Sequence, residues 1–208
     1  MPSRVVFIGK DGRAHPLDEI MEFDSIAGGL TTITTTHSEI HEGNSFTTEV
    51  VDETLANAET LIIAFKTGSG VRRAHLFVFF ATLVGGSLEI WEGATWTTNT
   101  GTATAIINRK RDGGTLFSEL EEDKTKTPVF IPTNNVLENP TGLNTTGATS
   151  LDKQYAWGEK GKIGAGYLRD ENEFILEPAT KYAIVFTAIG ADNRAQISLN
   201  WYEHGDNE

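Results

Sequence analysis

The chain has 208 residues, no cysteine and a formal net charge of −12. A single all-β domain of that length is ordinary, so size alone does not call for two domains, and the missing thiols exclude disulfides, thiolate catalysis and cysteine-based zinc or iron–sulfur sites. So acidic a body is repelled by phosphate backbones, which speaks against direct nucleic-acid binding.

The apolar fraction is 38% and there are 21 glycines. Threonine runs such as Thr31-Thr32 and Thr34-Thr35-Thr36 stand beside these glycine breaks. Thr favours strands and Gly favours turns, so the composition leans to β structure. The longest apolar run, residues 76–84, has strand length and is interrupted by Thr82. It falls far short of the ~20 residues of a membrane helix, so no membrane contact is expected. The first residues, MPSRVVFIGKDG, carry no apolar segment of signal-peptide length.

In chain order, residues 4–8 predict a short strand ended by the Asp11-Gly12 turn. Residues 16–23 predict two helical turns, with Pro16 in the first turn and acids nearby. Gly28-Gly29 breaks the chain, and residues 1–29 read as an N-terminal arm ahead of a β-sandwich over residues 30–208. Residues 32–41 read as extended. Strands follow at residues 46–51, 59–67, 73–84 and 87–91, separated by Gly68-Ser69-Gly70 and Gly85-Gly86. In the third of these, Leu76, Val78 and Phe80 alternate with Phe77, Phe79 and Ala81, so both faces are apolar and the strand belongs to the centre of the core. Further strands are expected at residues 103–108 and around Val129-Phe130-Ile131, with a charged turn at residues 109–114. Residues 134–149 read as a long surface loop and residues 158–166 as a glycine-rich one.

The last stretch, residues 178–204, organises the rest. Tyr182, Ile184 and Phe186 oppose Ala183, Val185 and Thr187, so this strand should be covered on both faces. After the turn Gly190-Ala191-Asp192-Asn193, the apolar Ala195, Ile197, Leu199 and Trp201 alternate with polar residues. The pair is expected to form a hairpin over which other strands close. Roughly eight to ten short strands at this spacing describe an all-β, antiparallel two-sheet sandwich or barrel.

Several stretches could carry chemistry. On a strand, His37, Glu39 and His41 share a face, and two imidazoles with a carboxylate could bind a divalent metal. Pairing with neighbours is the plainer expectation. Gly158-Glu159-Lys160-Gly161-Lys162 lacks the spacing, the Ser or Thr and the following helix of a phosphate loop, and Gly161, Gly164 and Gly166 form no dinucleotide fingerprint. Glu119, Glu121, Glu122 and Asp123, beside Lys124 and Lys126, fit a solvated loop better than a glycosidase pair. Ser118 has no histidine partner in a recognisable motif. Trp91 and Trp96 fit a core or a subunit interface, whereas Trp157 sits beside a loop and could stack on sugars. No catalytic, cofactor-binding or metal-binding residue is assigned, and no cofactor or enzymatic activity is expected.

Ile40-His41-Glu42-Gly43, Asn108-Arg109 and the segment from Ile175-Leu176 through Pro178 and Thr180 to Tyr182 occur in this order, ahead of a closing Trp201-Tyr202-Glu203. Over residues 30–203 this series resembles the jelly-roll head decoration (cement) proteins of tailed double-stranded-DNA bacteriophages. The resemblance implies a two-sheet jelly roll, a homotrimer, and a place on the capsid exterior after assembly in the host cytoplasm. It also implies that the protein bridges neighbouring major capsid proteins and so stabilises the shell. A tail, baseplate or glycan-binding receptor component on a similar fold is the alternative. A carbohydrate-binding module using Trp157 or residues 134–149, and a cupin-like enzyme using His37, Glu39 and His41, are further ones.

Overall fold

Strand formers that alternate with polar residues need a second layer to bury their apolar side. The computed structural model describes residues 6–8, 14–16, 35–69, 72–110, 136–157, 164–167 and 173–205. It divides the chain into two compact units, Met1–Ser38 and Glu39–Glu208; the sequence reading places the boundary after residue 29. In the first unit β1 (Val6–Ile8) pairs antiparallel with β2 (Ala14–Pro16), with Val6 opposite Pro16. Pro16, expected to open a helix, closes β2 instead, at a strand end where its missing N–H breaks no ladder. Residues 17–23, the rest of that expected helix, lie outside the described residues.

The extended run expected over residues 32–41 is overturned from residue 35 on; residues 32–34 lie outside the described residues. Thr35–Glu42 is a helix, α1. Its end supplies the reason. Gly43 takes φ 83°, its N–H donates to the Ile40 carbonyl at 3.2 Å, and the Asn44 N–H donates to the Glu39 carbonyl at 2.9 Å. That is a Schellman cap, which satisfies carbonyls at the helix end. A strand face shared by His37, Glu39 and His41 therefore does not form.

The second unit contains β3 (Ser45–Leu55), β4 (Thr60–Lys66), β5 (Arg72–Thr82), β6 (Gly85–Glu92), β7 (Thr102–Thr104), β8 (Ile107–Asn108), β9 (Val136–Glu138), β10 (Thr149–Trp157), β11 (Gly164–Tyr167), β12 (Phe174–Ile175), β13 (Lys181–Ala188) and β14 (Asn193–Gly205). They form two antiparallel sheets. Sheet 1 runs β11-β5-β14-β3-β8, with β12 also on β5; sheet 2 runs β10-β6-β13-β4-β9-β7. Without the short edge additions, the orders are β3-β14-β5-β11 and β4-β13-β6-β10. Apart from β6 and β10, which pair within sheet 2, successive strands cross between sheets, and the last two return to lie beside the first two. This is the jelly roll, two Greek keys wrapped together.

The C-terminal pair is not a hairpin. β13 lies between β4 and β6 in sheet 2, and β14 lies between β5 and β3 in sheet 1. Both edges of each strand are taken, so the turn crosses the sandwich. Gly190 at φ 86° and Asp192 at φ 56° make that reversal. The buried Asn193 ties it to the β5–β6 crossing. Its Oδ1 accepts from Thr82 Oγ1 and from the Val84 N–H, each at 2.9 Å, and its Nδ2 donates to the Gly85 carbonyl at 2.8 Å. At Gly86 a Cβ would lie 2.4 Å from Phe186 Cζ and 2.5 Å from the Thr187 carbonyl oxygen, so only glycine lets β13 pack there.

The core lies between the sheets. It is built from inward residues such as Phe46, Phe65, Leu76, Phe80, Leu88, Ile184, Phe186, Leu199 and Trp201. Ala195, Ile197, Leu199 and Trp201 all point inward, as their period of two predicts. A second cluster, Ile62, Ala64, Ala94 and Ala183 with Trp91, Trp96, Leu143 and Ala148 against it, covers part of the outer face of sheet 2. The β13 strand is thus covered on both faces, as expected. The 134–149 segment is more than a surface loop. Val136 and Leu137 are buried in β9, and the Asn139 side chain accepts from the Ile62 N–H at 2.8 Å. The 158–166 segment was expected to be a loop throughout, but Gly164 and Gly166 stand in β11, opposite Thr82 and Phe80.

Candidate functional site

Sheet 1 turns its outer face away from the core with an unusual load of apolar side chains. The register places Ile107 of β8 beside Thr47 of β3, and Ile175 of β12 beside His75 of β5, all on that outer face. Val51 is 51% exposed, Ile107 42% and Ile175 60%. Phe77 and Phe79 of β5 are half-buried on the same side. Between them stand the polar Glu49, Gln196, Ser198 and Asn200, with Gln196 Nε2 donating to Glu49 Oε2 at 2.9 Å. A shallow depression of about 300 Å³ opens at one end, lined by Val51, Glu53, Ala81, Leu83, Arg194 and Gln196. Apolar anchors in a polar surround are the make-up of a protein-docking patch.

At the other end a polar cluster fixes β12 to the sheet. Tyr202 stacks on His75, ring centroids 4.6 Å apart and planes 14° apart, and leans on Phe77. Its hydroxyl donates to Glu173 Oε1 at 2.8 Å, and His75 Nδ1 contacts the same oxygen. Burial pushes the Tyr202 phenol well above its ordinary value, and the hydrogen bond to Glu173 and the charges of Glu173 and Glu39 add to the shift. This His–Glu–Tyr set lies largely beneath the surface, and it holds β12, with Ile175, against β5. Tyr182 makes a parallel anchor in sheet 2. Its hydroxyl donates to Glu92 Oε2 at 2.7 Å and accepts from the Glu177 N–H at 2.8 Å. Burial, and then the bond to Glu92, hold its phenol up as well.

The sign of the pH effect follows. The folded chain keeps both phenolic protons above the ordinary tyrosine value near 10, so the unfolded chain loses them first. The stability they confer is complete below about pH 10 and declines as pH rises further. Tyr182→Phe with Tyr202→Phe should flatten that decline by up to about 1.4 kcal/mol per pH unit for each tyrosine. Urea midpoints measured between pH 9 and 11.5 would show it; an unchanged slope would mean that neither proton is held.

The other sequence candidates are scattered. Glu39 is buried at the end of α1, accepting from Asn44 Nδ2 at 3.2 Å. His41 is exposed on the helix, and the His37 side chain is outside the described residues. Among the described residues no group of three or more His, Asp or Glu is gathered as a metal could require. Ser118, Glu119, Glu121, Glu122, Asp123 and residues 125–132 lie outside the described residues, as do Gly158, Lys160, Gly161 and Lys162. Trp91 and Trp96 are half-buried on sheet 2, where the Lys181 ammonium sits 4.6 Å from the Trp96 ring. Trp157 is 79% exposed.

Val51, Ile107, Ile175 and Tyr155 escape a reading of the sequence. β8 and β12 are only two residues long and show no period, so only the register tells which face Ile107 and Ile175 take. Among the described residues no helix is long and apolar enough to cross a membrane. Comparison with protein-family models, with curated proteins and with solved structures finds no match to this chain.

Proposed function

We propose that this protein is a virion structural protein: a decoration, or cement, protein of a tailed double-stranded-DNA bacteriophage. It binds the outer head surface as a homotrimer and bridges neighbouring major capsid proteins. The observation that carries the reading is the outer face of sheet 1, where Val51, Ile107 and Ile175 stand exposed beside Phe77 and Phe79 on a rigid jelly roll. Jelly rolls recur in viral capsid proteins. The net charge of −12 suits a place outside the shell, away from packaged DNA. The protein acts by holding other chains together, without a reaction of its own. DNA under pressure pushes the shell outward, and a trimer gripping several capsid subunits makes each further contact at high effective concentration. Opening the shell then requires several contacts to break together.

Heads that carry the protein should release DNA several degrees above heads that lack it, read by dye uptake during a thermal ramp. Light scattering of the free protein should give three times the chain mass. Equal release temperatures would remove the cementing role, and a monomer would remove the multivalent clamp.

A further inference from the structure

The strand β10 forms one edge of sheet 2. Lys153, Tyr155 and Trp157 follow one another on its outer side. The Tyr155 and Trp157 rings are parallel to within 10°, with centroids 5.7 Å apart. The Lys153 ammonium sits 5.5 Å from the Tyr155 ring and pairs with Glu89 of the neighbouring strand. Tyr155 is 52% exposed and Trp157 79%. Tyr155 therefore lies between Lys153, which is paired across to β6, and Trp157, whose ring is left largely open to solvent.

We propose that the Tyr155–Trp157 stack on β10 is a binding platform for a neutral glycan. Size speaks first. An aromatic side chain contributes at most about 150–250 Å², so the open Trp157 ring, backed by Tyr155, gives well under the ~800 Å² per partner of a stable protein interface but enough for one sugar ring. The surroundings are polar: Ser87 stands opposite Tyr155 and Thr187 opposite Ser87, on the same outer face. A pyranose lays its C–H face on an aromatic ring and turns its hydroxyls outward, toward polar neighbours such as these. Charge then selects. Glu89 neutralises the Lys153 ammonium, and a chain of net charge −12 repels sulfated, phosphorylated or sialylated ligands. The two rings already pack on each other, which lowers the ordering cost that binding adds. This platform lies on sheet 2, whereas the proposed capsid contact lies on sheet 1. A particle-bound subunit could therefore keep it open to the medium.

The full-length protein is applied to an array of neutral and acidic glycans, and the neutral hexose oligosaccharides it retains are titrated by calorimetry. The expected result is saturable binding to neutral glycans that Trp157→Ala weakens about tenfold or more and Tyr155→Ala several-fold. The unfolding midpoints of both variants should match the parent, and Trp157→Phe should keep part of the affinity. Three results would each overturn the proposal. One is no saturable neutral-glycan binding. Another is binding that Trp157→Ala leaves intact. The third is a Trp157→Ala effect confined to self-association in sedimentation or to capture of a proline-rich peptide, which would make the stack a protein contact. Loss of glycan binding with head binding intact separates this site from the docking face.

Discussion

Replacing Trp201 with alanine should cost about 3–5 kcal/mol through the cavity it leaves. Trp201 is almost wholly buried and stacks on Phe46, ring centroids 5.6 Å apart. Its Nε1 donates at 3.0 Å to Glu203 Oε1, on a carboxylate with no solvent exposure. Losing that donor adds about 1–3 kcal/mol, because it takes a hydrogen-bond partner from a buried side chain. A domain holds only about 5–15 kcal/mol in total, so Trp201→Ala should leave a large fraction unfolded at room temperature. Trp201→Phe keeps a ring on Phe46 but loses the donor and part of the buried indole, so it should cost the second amount plus a smaller cavity term, less than Trp201→Ala. Urea denaturation followed by far-ultraviolet circular dichroism orders the three proteins. If the alanine and phenylalanine variants unfold together, the cavity does not dominate.

The second large effect concerns binding, with the fold left intact. Val51, Ile107 and Ile175 are exposed, so Val51→Asp with Ile107→Asp and Ile175→Asp should change stability by less than about 0.5 kcal/mol per site. The same changes bury three carboxylates against a partner if this face docks. Each uncompensated buried charge costs several kcal/mol, so affinity for heads should fall more than about 100-fold. Threonine at the same three positions keeps the shape without the charge and should give a smaller loss. Co-sedimentation with heads measures both. Full binding by the aspartate variant, with its fold intact, would move the contact to another surface.

Alternation marked the central strands well. β5, β13 and β14 stand where the period of two put them, and their inward residues are the expected ones. Which sheet each strand would join was not legible from alternation. Gly190 to Asn193 reads as a hairpin turn, and the same residues make a crossing once β4, β6, β3 and β5 occupy the strand edges. The threonines before His37 favoured an extended chain, yet Gly43-Asn44, directly after Glu42, form a helix stop. That signal was present and weaker than the composition around it. β9 was hidden because Val136 and Leu137 are too few to show a period, and their burial is decided by β4 and β7 on either side. For the sites, Trp157 stood out by residue type and neighbourhood. The exposure of Val51, Ile107 and Ile175 depends on strand partners far away in the chain.

A cryo-electron microscopy map of the intact particle measures the central claim most directly. Three jelly rolls should sit together on the outer head surface, with β3, β8 and β12 against the major capsid protein. Density for the chain on the tail alone, or on the head with the outer face of sheet 1 turned to solvent, would contradict it.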